Sequence, residues 1–493
     1  MTSPHPTATP SRPGARARPG ARAWLGLLLV LGPVLLVSMD GSILFLAMPR
    51  ISRDLAPTAD QALWILDVYG FAVGSLLITF GNLGDRFGRL RLLLIGVAAF
   101  GAGSAAAAFA PSPELLIAAR AVMGVAGATL LPSALAVLSE LFADPRHRAR
   151  AIGIFAAAFA AGFGIGPVLG GLLLQRFRWG SVFLINLGVV VPFLALAPLL
   201  LREVRGGDRG RVDPASVITS AVGLLSLIFA VKHTAADGPT PIALITGVAG
   251  VALLAWFVAR QRRLATPLID FGLFRDRVFT LAIITGLVPL AAWSAAAYLS
   301  GILLQSVLGL PVLHAALLAL PGAAVLTASC VLTPAVADRL GKRRILTLCH
   351  FAIAAGLLLL LPAATGGAGW YVAATAVSGI GYGISFALVA DTAVGAVPPE
   401  RAGAAGAIAE TSNELGNALG IALFGSLAAL LFRLLGPGLA PTLEETLRQP
   451  GLPAATAAEA RAAFSTGLRA AVALAALLHL VLAGIALRWL PRA

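Results

Sequence analysis

Six ionisable side chains stand inside long apolar runs of this sequence: Asp40, Asp67, Arg120, Asp391, Glu410 and Glu414. A charge held in hydrocarbon costs ~3 kcal/mol or more, so each of these residues needs either a partner or a task. Arg120 is the basic residue deepest in such a run and calls for an acid. Glu410, Glu414 and Asn417 follow i, i+4, i+7 spacing and form one polar stripe, with Asn413 beside it. Two carboxylates ~6 Å apart in a low dielectric resist ionising together, so one of them holds a proton near neutral pH. Asp40 lies well inside its run. Asp67 is only about five residues from the end of its own, so it reads as either a wetted charge or a cation contact. Asp391 sits at a run's end and reads as a cap or interfacial charge. The chemistry on offer is exchange: a desolvated carboxylate binds a proton or an organic cation, and the two compete. The structural alternative is the same at each position, an ion pair or hydrogen bond that only fixes helix packing.

Two glycine patterns surround these charges. Gly162, Gly164, Gly166-Pro167 and Gly170-Gly171 fall within one apolar run, where they permit bending and close backbone approach. No strand precedes Gly162 and no ribose-binding acid follows, which excludes a dinucleotide site. Gly81, Gly84, Asp85, Arg86, Gly88 and Arg89 form a tight basic turn, with Asp85 placed to accept from helix N-terminal amides or to pair with an arginine. That turn recurs as Asp338-Arg339-Leu340-Gly341-Lys342, an offset of 253 residues. Arg148-Ala149-Arg150-Ala151-Ile152-Gly153 recurs as Arg401-Ala402-Gly403-Ala404-Ala405-Gly406 at the same offset. A shared offset implies two parallel halves.

The elements that carry these residues are membrane spans. The 493 residues are 58% hydrophobic and 12% charged, with a mean hydropathy of +0.91, a balance suited to a protein dissolved in lipid. Apolar runs near 24–48, 62–83, 91–110, 115–139, 149–174, 181–201 and 214–232 are each about the length that crosses the hydrocarbon. Runs near 240–259, 278–305, 312–336, 344–362, 370–394, 404–432 and 467–489 bring the expected spans to fourteen. The two at 214–259 are short. Lys and Arg number 26 on the side of the N-terminus and nine on the other, with Lys232 among the nine, which predicts that both termini are cytoplasmic. The expected organisation is a disordered tail over 1–23, a six-helix bundle over 24–201, an inserted pair over 202–277, and a second six-helix bundle over 278–493. The inserted pair, read as carrying no buried charge, should stand outside the pseudo-symmetric core, against lipid or in the groove between bundles. Within the second bundle, the loop 433–466 is expected to form two short helices, Thr442–Arg448 and Ala454–Phe464, over the mouth.

Several functions are excluded or disfavoured. The net charge of +14 resides in short loops between apolar runs, which argues against nucleic acid. Cys330 and Cys349 both lie in or beside apolar segments and imply no disulfide framework. No His/Asp/Glu cluster has metal spacing, and no nucleophile–base pair appears in the loops, so neither an enzyme, a metal nor a cofactor is expected. No G-x-x-x-x-G-K-[ST] occurs, which disfavours ATP as the energy source. No obligate protein partner is implied.

The turn Gly81–Arg91 resembles the loop 2–3 signature of the major facilitator superfamily. The run Gly162–Gly171 resembles its helix-5 antiporter signature, and Ala119–Gly127 resembles the helix-4 signature, with Met123 where the family often has a polar residue. Ser38–Met48 with Asp40 is similar to the helix-1 signature of the fourteen-helix drug/proton branch, though Gly41-Ser42 replaces a hydroxyl directly after the acid. Trp64–Tyr69 with Asp67 is similar to the start of helix 2 in quaternary-ammonium exporters, and Glu410–Asn417 to the acidic helix-13 pattern of the multidrug branch. Run 312–336 carries no acid, although some multidrug relatives place one there. The resemblance implies an all-α major facilitator fold of fourteen helices arranged 6+2+6. It implies proton-coupled, alternating-access multidrug efflux of hydrophobic, cationic compounds across the inner membrane, with antibiotic resistance as its outcome. Proton coupling falls to Asp40, Arg120, Glu410 and Glu414. Substrate contact falls to Asp40, Asp67, Glu410, Trp293 and Tyr382, with Tyr298 and Phe386 as further walls. Gating falls to Gly81, Asp85, Arg86, Gly88, Arg89, Gly162, Gly166, Pro167, Gly170, Gly171, Asp338 and Arg339. Export of a neutral, host-made natural product by the same fold is the alternative. Nutrient uptake is disfavoured by the helix-5 pattern.

Overall fold

Hydrocarbon leaves backbone N–H and C=O groups no partner but one another, so apolar runs of this length must fold as helices. The computed structural model describes residues 20–142, 144–203, 213–264, 267–398 and 401–490, and no strand occurs among them. The first seven long helices are α1 (Ala21–Leu55), α2 (Ala59–Phe87), α3 (Arg89–Ala108), α4 (Pro113–Leu141), α5 (Pro145–Arg176), α6 (Ser181–Leu200) and α7 (Pro214–Asp237). They are followed by α8 (Pro241–Gln261), α9 (Arg277–Val307), α10 (Val312–Leu340), α11 (Lys342–Leu360) and α12 (Ala368–Gly395). Then α13 runs through Ala402–Gly420, a π-helical turn Ile421–Gly425 and Ser426–Leu435, and α14 spans Ala454–Trp489. Thirteen of these meet the length and apolarity needed to cross a membrane among the described residues. The fourteenth, α2, has 29 residues and so reaches about 43 Å at 1.5 Å per residue. The tail expected at 1–23 falls through residue 19 outside the described residues, and α1 begins at Ala21.

The repeat seen in the sequence is also a repeat in packing. In the first half α1 packs on α5, while α2 and α3 pack on α4. In the second half α9 packs on α13, while α10 and α11 pack on α12, the same pairings moved eight helices along. The duplicated turn has one geometry in both copies. Gly88 (φ +106°) and Gly341 (φ +82°) each sit in the left-handed region and start the following helix, a conformation that favours glycine. Gly88 N–H donates to Gly84 O at 3.0 Å, and Gly341 N–H donates to Ala337 O at 2.9 Å.

The inserted helices α7 and α8 pack on each other. At one end Asp213 is hydrogen-bonded by Arg260 at 2.7 and 3.0 Å and by Ser216, and these bonds hold its carboxyl below the usual carboxylate range. On α8, Leu244, Ile245 and Val248 are exposed, an apolar face suited to acyl chains. In contrast, α7 lies in the seam between bundles, against α2 and the second half of α13.

The loop expected over 433–466 spans 436–453 instead, and the first of its two expected helices is present. It contains one short helix, Leu443–Leu447, capped by Thr442, whose Oγ1 accepts from Glu445 N–H at 3.2 Å. The second expected helix is not separate, because Ala454 opens α14 and the helix continues unbroken for 36 residues. Its alanine-rich start contains no breaker after Pro453, so nothing stops propagation into the apolar run. Arg448 from this segment donates to Ser52 O at 2.7 Å, tying the second bundle to the end of α1.

Candidate functional site

The charges sort into pairs. Arg120 on α4 forms a fully buried ion pair with Asp40 on α1, each 1% exposed. Its remaining donors reach two α2 carbonyls, Ile65 O at 3.1 Å and Leu66 O at 3.4 Å, and its guanidinium lies 4.8 Å from the Tyr69 ring centroid. Three helices of one bundle are thus bound through a single arginine. Packing glycines allow it, because a Cβ built on Gly124 would meet Ala72 Cβ at 2.7 Å and Tyr69 Cα at 2.9 Å.

Asp67 departs from the first of the readings offered by the sequence, a wetted charge. It is not wetted, and its cation is intramolecular: Lys232 of α7 meets it at 2.7 Å, and both side chains are 0% exposed. This corrects two further expectations. Lys232 is not an outer loop charge, and the inserted pair does carry a buried charge. Lys232 escaped notice because it stands near the end of a short apolar run, and hydropathy does not reveal which face of α7 meets α2. Asp391 conforms to its reading as an interfacial charge, exposed and paired with Lys342 at 2.7 Å.

Glu410 and Glu414 are the exception. Among the described residues no Lys, Arg or His lies within ion-pair distance of either, although Glu414 is buried. Asn417, one turn further along α13, approaches the other bundle: its Nδ2 would stand 4.0 Å from a Cβ built on Gly41, next to Asp40. The buried Asn417 Oδ1, Tyr69 Oη and Tyr382 Oη have no hydrogen-bond partner among the described residues.

The glycines of α5 serve two faces. Cβ atoms on Gly162, Gly166 and Gly170 would drive into α1, at Ser38 Cβ (2.8 Å), Ser42 Oγ (2.5 Å) and Ile43 Cγ1 (2.5 Å). Those on Gly164 and Gly171 would meet α10 of the other bundle, at Ala323 Cβ (2.6 Å) and Leu313 Cα (3.2 Å). On the second seam, Gly70 and Gly74 of α2 face Ala418 and Leu415 of α13. A cavity of about 130 Å³ opens between the bundles, lined by Ser42, Phe45, Pro167, Trp293, Tyr371 and Tyr382 among others. Trp293 and Tyr382 therefore do share a cavity. Asp40, Glu410 and Glu414 do not line it.

Three further residues were missed. Phe159 and Phe163 bridge the bundles: Phe163 lies 4.5 Å from the Trp293 centroid, and Phe159 lies 5.8 Å from that of Phe386. Their i, i+4 spacing on α5 was the available signal, hidden among glycines. Glu203 was missed as well. Its carboxylate accepts from Leu90 N–H (2.9 Å) and Arg91 N–H (3.0 Å), capping α3, a role the sequence reading offered to Asp85. The side chain of Asp85 lies outside the described residues. Arg86 stacks 5.4 Å from Phe87, a Cβ on Gly84 would press on the Arg89 side chain, a Cβ on Gly81 would meet nothing within 4 Å, and Asp338 and Arg339 are exposed.

Two repeated helical bundles meeting along glycine seams, with buried ionisable residues and a cavity between the bundles, define a multi-pass membrane carrier. Residues 33–421 match the profile of the Major Facilitator Superfamily, and the chain belongs to that family. It is 40% identical over 385 residues to the multidrug efflux pump LfrA of Mycolicibacterium smegmatis, covering 78% of this chain and 76% of that one. It is 31% identical to the methyl viologen resistance protein SmvA of Salmonella typhimurium, covering 77% of each. A bacterial homologue of the human lysosomal transporter Spinster shares the fold, with a TM-score of 0.64 at 17% identity, over 97% of this chain and 98% of that one. Within the superfamily the chain groups with the multidrug efflux transporters.

Proposed function

We propose that efflux by this chain is driven by protons and acts on hydrophobic organic cations, which the bundles carry from the cytoplasm across the inner membrane. The observation that carries this reading is the unpaired state of Glu410 and Glu414. Asp40, Asp67 and Asp391 each have a cation of their own, whereas these two carboxylates have none among the described residues and are free to take an exchangeable one. A proton and a lipophilic cation then compete for the same pair, and return with bare charge is unfavourable. Asp40 and Arg120 form a neutral unit whose opening transmits the exchange to α1, α2 and α4. Trp293, Tyr382, Phe163 and Phe386 supply apolar area and ring faces for cations.

The termini face is cytoplasmic on the positive-inside bias. Alternating access then requires the cytoplasmic side to open to admit substrate and to close behind it. Gly81, Asp85, Arg86, Gly88 and Arg89 with Asp338 and Arg339 form the two cytoplasmic turns that re-pack when it closes. Gly162, Gly166, Pro167, Gly170 and Gly171 let α5 slide on α1 and α10. The name of SmvA, a methyl viologen resistance protein, agrees with cationic cargo. A neutral natural product is the second reading, favoured by the apolar lining of the cavity.

The test is pH-jump transport in proteoliposomes with a matched panel of organic cations and neutral drugs. Uptake of cations that follows an imposed proton gradient and collapses with a protonophore is expected. Transport of neutral compounds alone would give the assignment to the second reading.

A further inference from the structure

The cavity between the bundles is walled by aromatic and aliphatic side chains, and no Asp, Glu, Lys, Arg or His lines it among the described residues. Its hydroxyls are of two kinds. Ser42, Thr375 and Ser378 turn back on their own helices and donate to Met39 O at 3.1 Å, Tyr371 O at 3.0 Å and Ala374 O at 2.8 Å. A helical serine or threonine commonly satisfies its proton in this way. Tyr382 on α12 and Ser300 on α9 differ. Both line the cavity and are 4% and 2% exposed, yet neither Tyr382 Oη nor Ser300 Oγ has a hydrogen-bond partner among the described residues. Ser300 stands inside a helix as the other three do, but makes no bond back to it.

A buried hydroxyl without a partner carries a free-energy cost that a bound group can remove. Each of the two oxygens brings one O–H donor to an otherwise apolar space. A ligand that only donates would leave both protons unpaired, whereas a ligand oxygen accepts them. The charge of a cargo molecule is met elsewhere. Glu410 and Glu414 do not line the cavity, and Asn417 at the end of their stripe approaches Gly41, the chain neighbour of Ser42 on the cavity wall.

We propose that Tyr382 and Ser300 determine specificity: their hydroxyls select cargo whose uncharged, aromatic part bears a hydrogen-bond acceptor, such as a ketone or ether oxygen. This rests on the reading of the cavity as a place where cargo binds. Affinity that comes from buried area and ring faces is indifferent to such an oxygen. A site with polar groups of its own to satisfy discriminates against the analogue that lacks it. The α13 carboxylates thus read the charge of a compound and the two hydroxyls read its oxygen, so the carrier applies two separate tests.

Equilibrium binding of matched compounds to the purified full chain decides this. Phenacyltrimethylammonium and phenethyltrimethylammonium differ only by a ketone oxygen in place of two hydrogens, and propiophenone and propylbenzene form the neutral pair. Tyr382→Phe keeps the ring, and Ser300→Ala removes a single oxygen. Each should shrink the preference for the ketone, which should be about tenfold greater in the parent than in the double variant. A role in packing alone would weaken both members of a pair equally and leave their ratio where it was. Cation binding with the same ratio in parent and double variant would mean that the hydroxyls meet only water, overturning the proposal and leaving the cation reading standing. If neither cation binds the parent, yet the preference for propiophenone falls in the variants, the proposal stands and the cation reading fails. An unchanged ratio in the neutral pair as well would overturn both.

Discussion

Replacing Asp40 by Asn keeps size and hydrogen bonding but leaves Arg120 with two carbonyls and no counter-charge. Removing one member of a buried ion pair costs about 3–5 kcal/mol, so Asp40→Asn should lower thermal stability measurably. If Asp40 takes part in coupling, uphill export driven by a pH gradient should vanish in proteoliposomes while downhill movement survives. Full pH-driven accumulation by the variant would remove Asp40 from the coupling scheme. The α13 pair makes a different prediction. Two protons exchanged for one monovalent cation move a net charge, so each 100 mV of potential adds ~2.3 kcal/mol of drive. Export of a monovalent cation should respond to voltage with the pH gradient clamped at zero, and Glu410→Gln should weaken that response more than it weakens binding. A parent transporter blind to voltage would eliminate the two-proton scheme.

At the scale of the element, α5 is a helix whose side chains have been trimmed on two faces. Gly166→Ala would place a methyl 2.5 Å from Ser42 Oγ and 3.0 Å from Met39 O, and the second of these is backbone that cannot rotate away. Overpacking of this kind costs about 1–3 kcal/mol, and here it would also force α1 and α5 apart. Transport should fall at least tenfold. Gly153→Ala, on the same helix but with nothing within 4 Å, should leave transport unchanged and gain up to ~1 kcal/mol of helix propensity. Equal effects of the two substitutions on transport rates and melting temperature would show that the seam tolerates bulk and that its glycines have another purpose.

At the scale of the whole molecule, the question is whether α7 and α8 can be spared. The 253-residue offset suggests that excising 207–262 and joining the bundles leaves a foldable protein. The buried Lys232–Asp67 pair changes that expectation, because excision strips Asp67 of its cation while α2 still carries it into the membrane. The shortened chain should accumulate poorly and melt early, and Asp67→Asn in the shortened chain should restore both. Equal yield and stability with Asp67 intact would mean that α7 contributes only packing.

Spans, repeat, tight turns and family were legible in the sequence because each rests on a local quantity. Hydropathy over some twenty residues fixes a span, and a repeated turn needs the same glycine wherever it occurs, as Gly88 and Gly341 do with their positive φ. The α13 stripe was legible for the same reason, since one helix sets the spacing of Glu410, Glu414 and Asn417. Pairings between helices were not. Arg120 demanded an acid, but several lay at membrane depth, and only the crossing of α1, α2 and α4 selects Asp40. Lys232 looked like a loop charge until α7 was laid in the seam, where the rotation of one helix decides whether an ammonium meets water or Asp67. The cost of burying a charge is known from the residue alone, whereas the partner that offsets it is decided by which faces the folded helices turn toward each other.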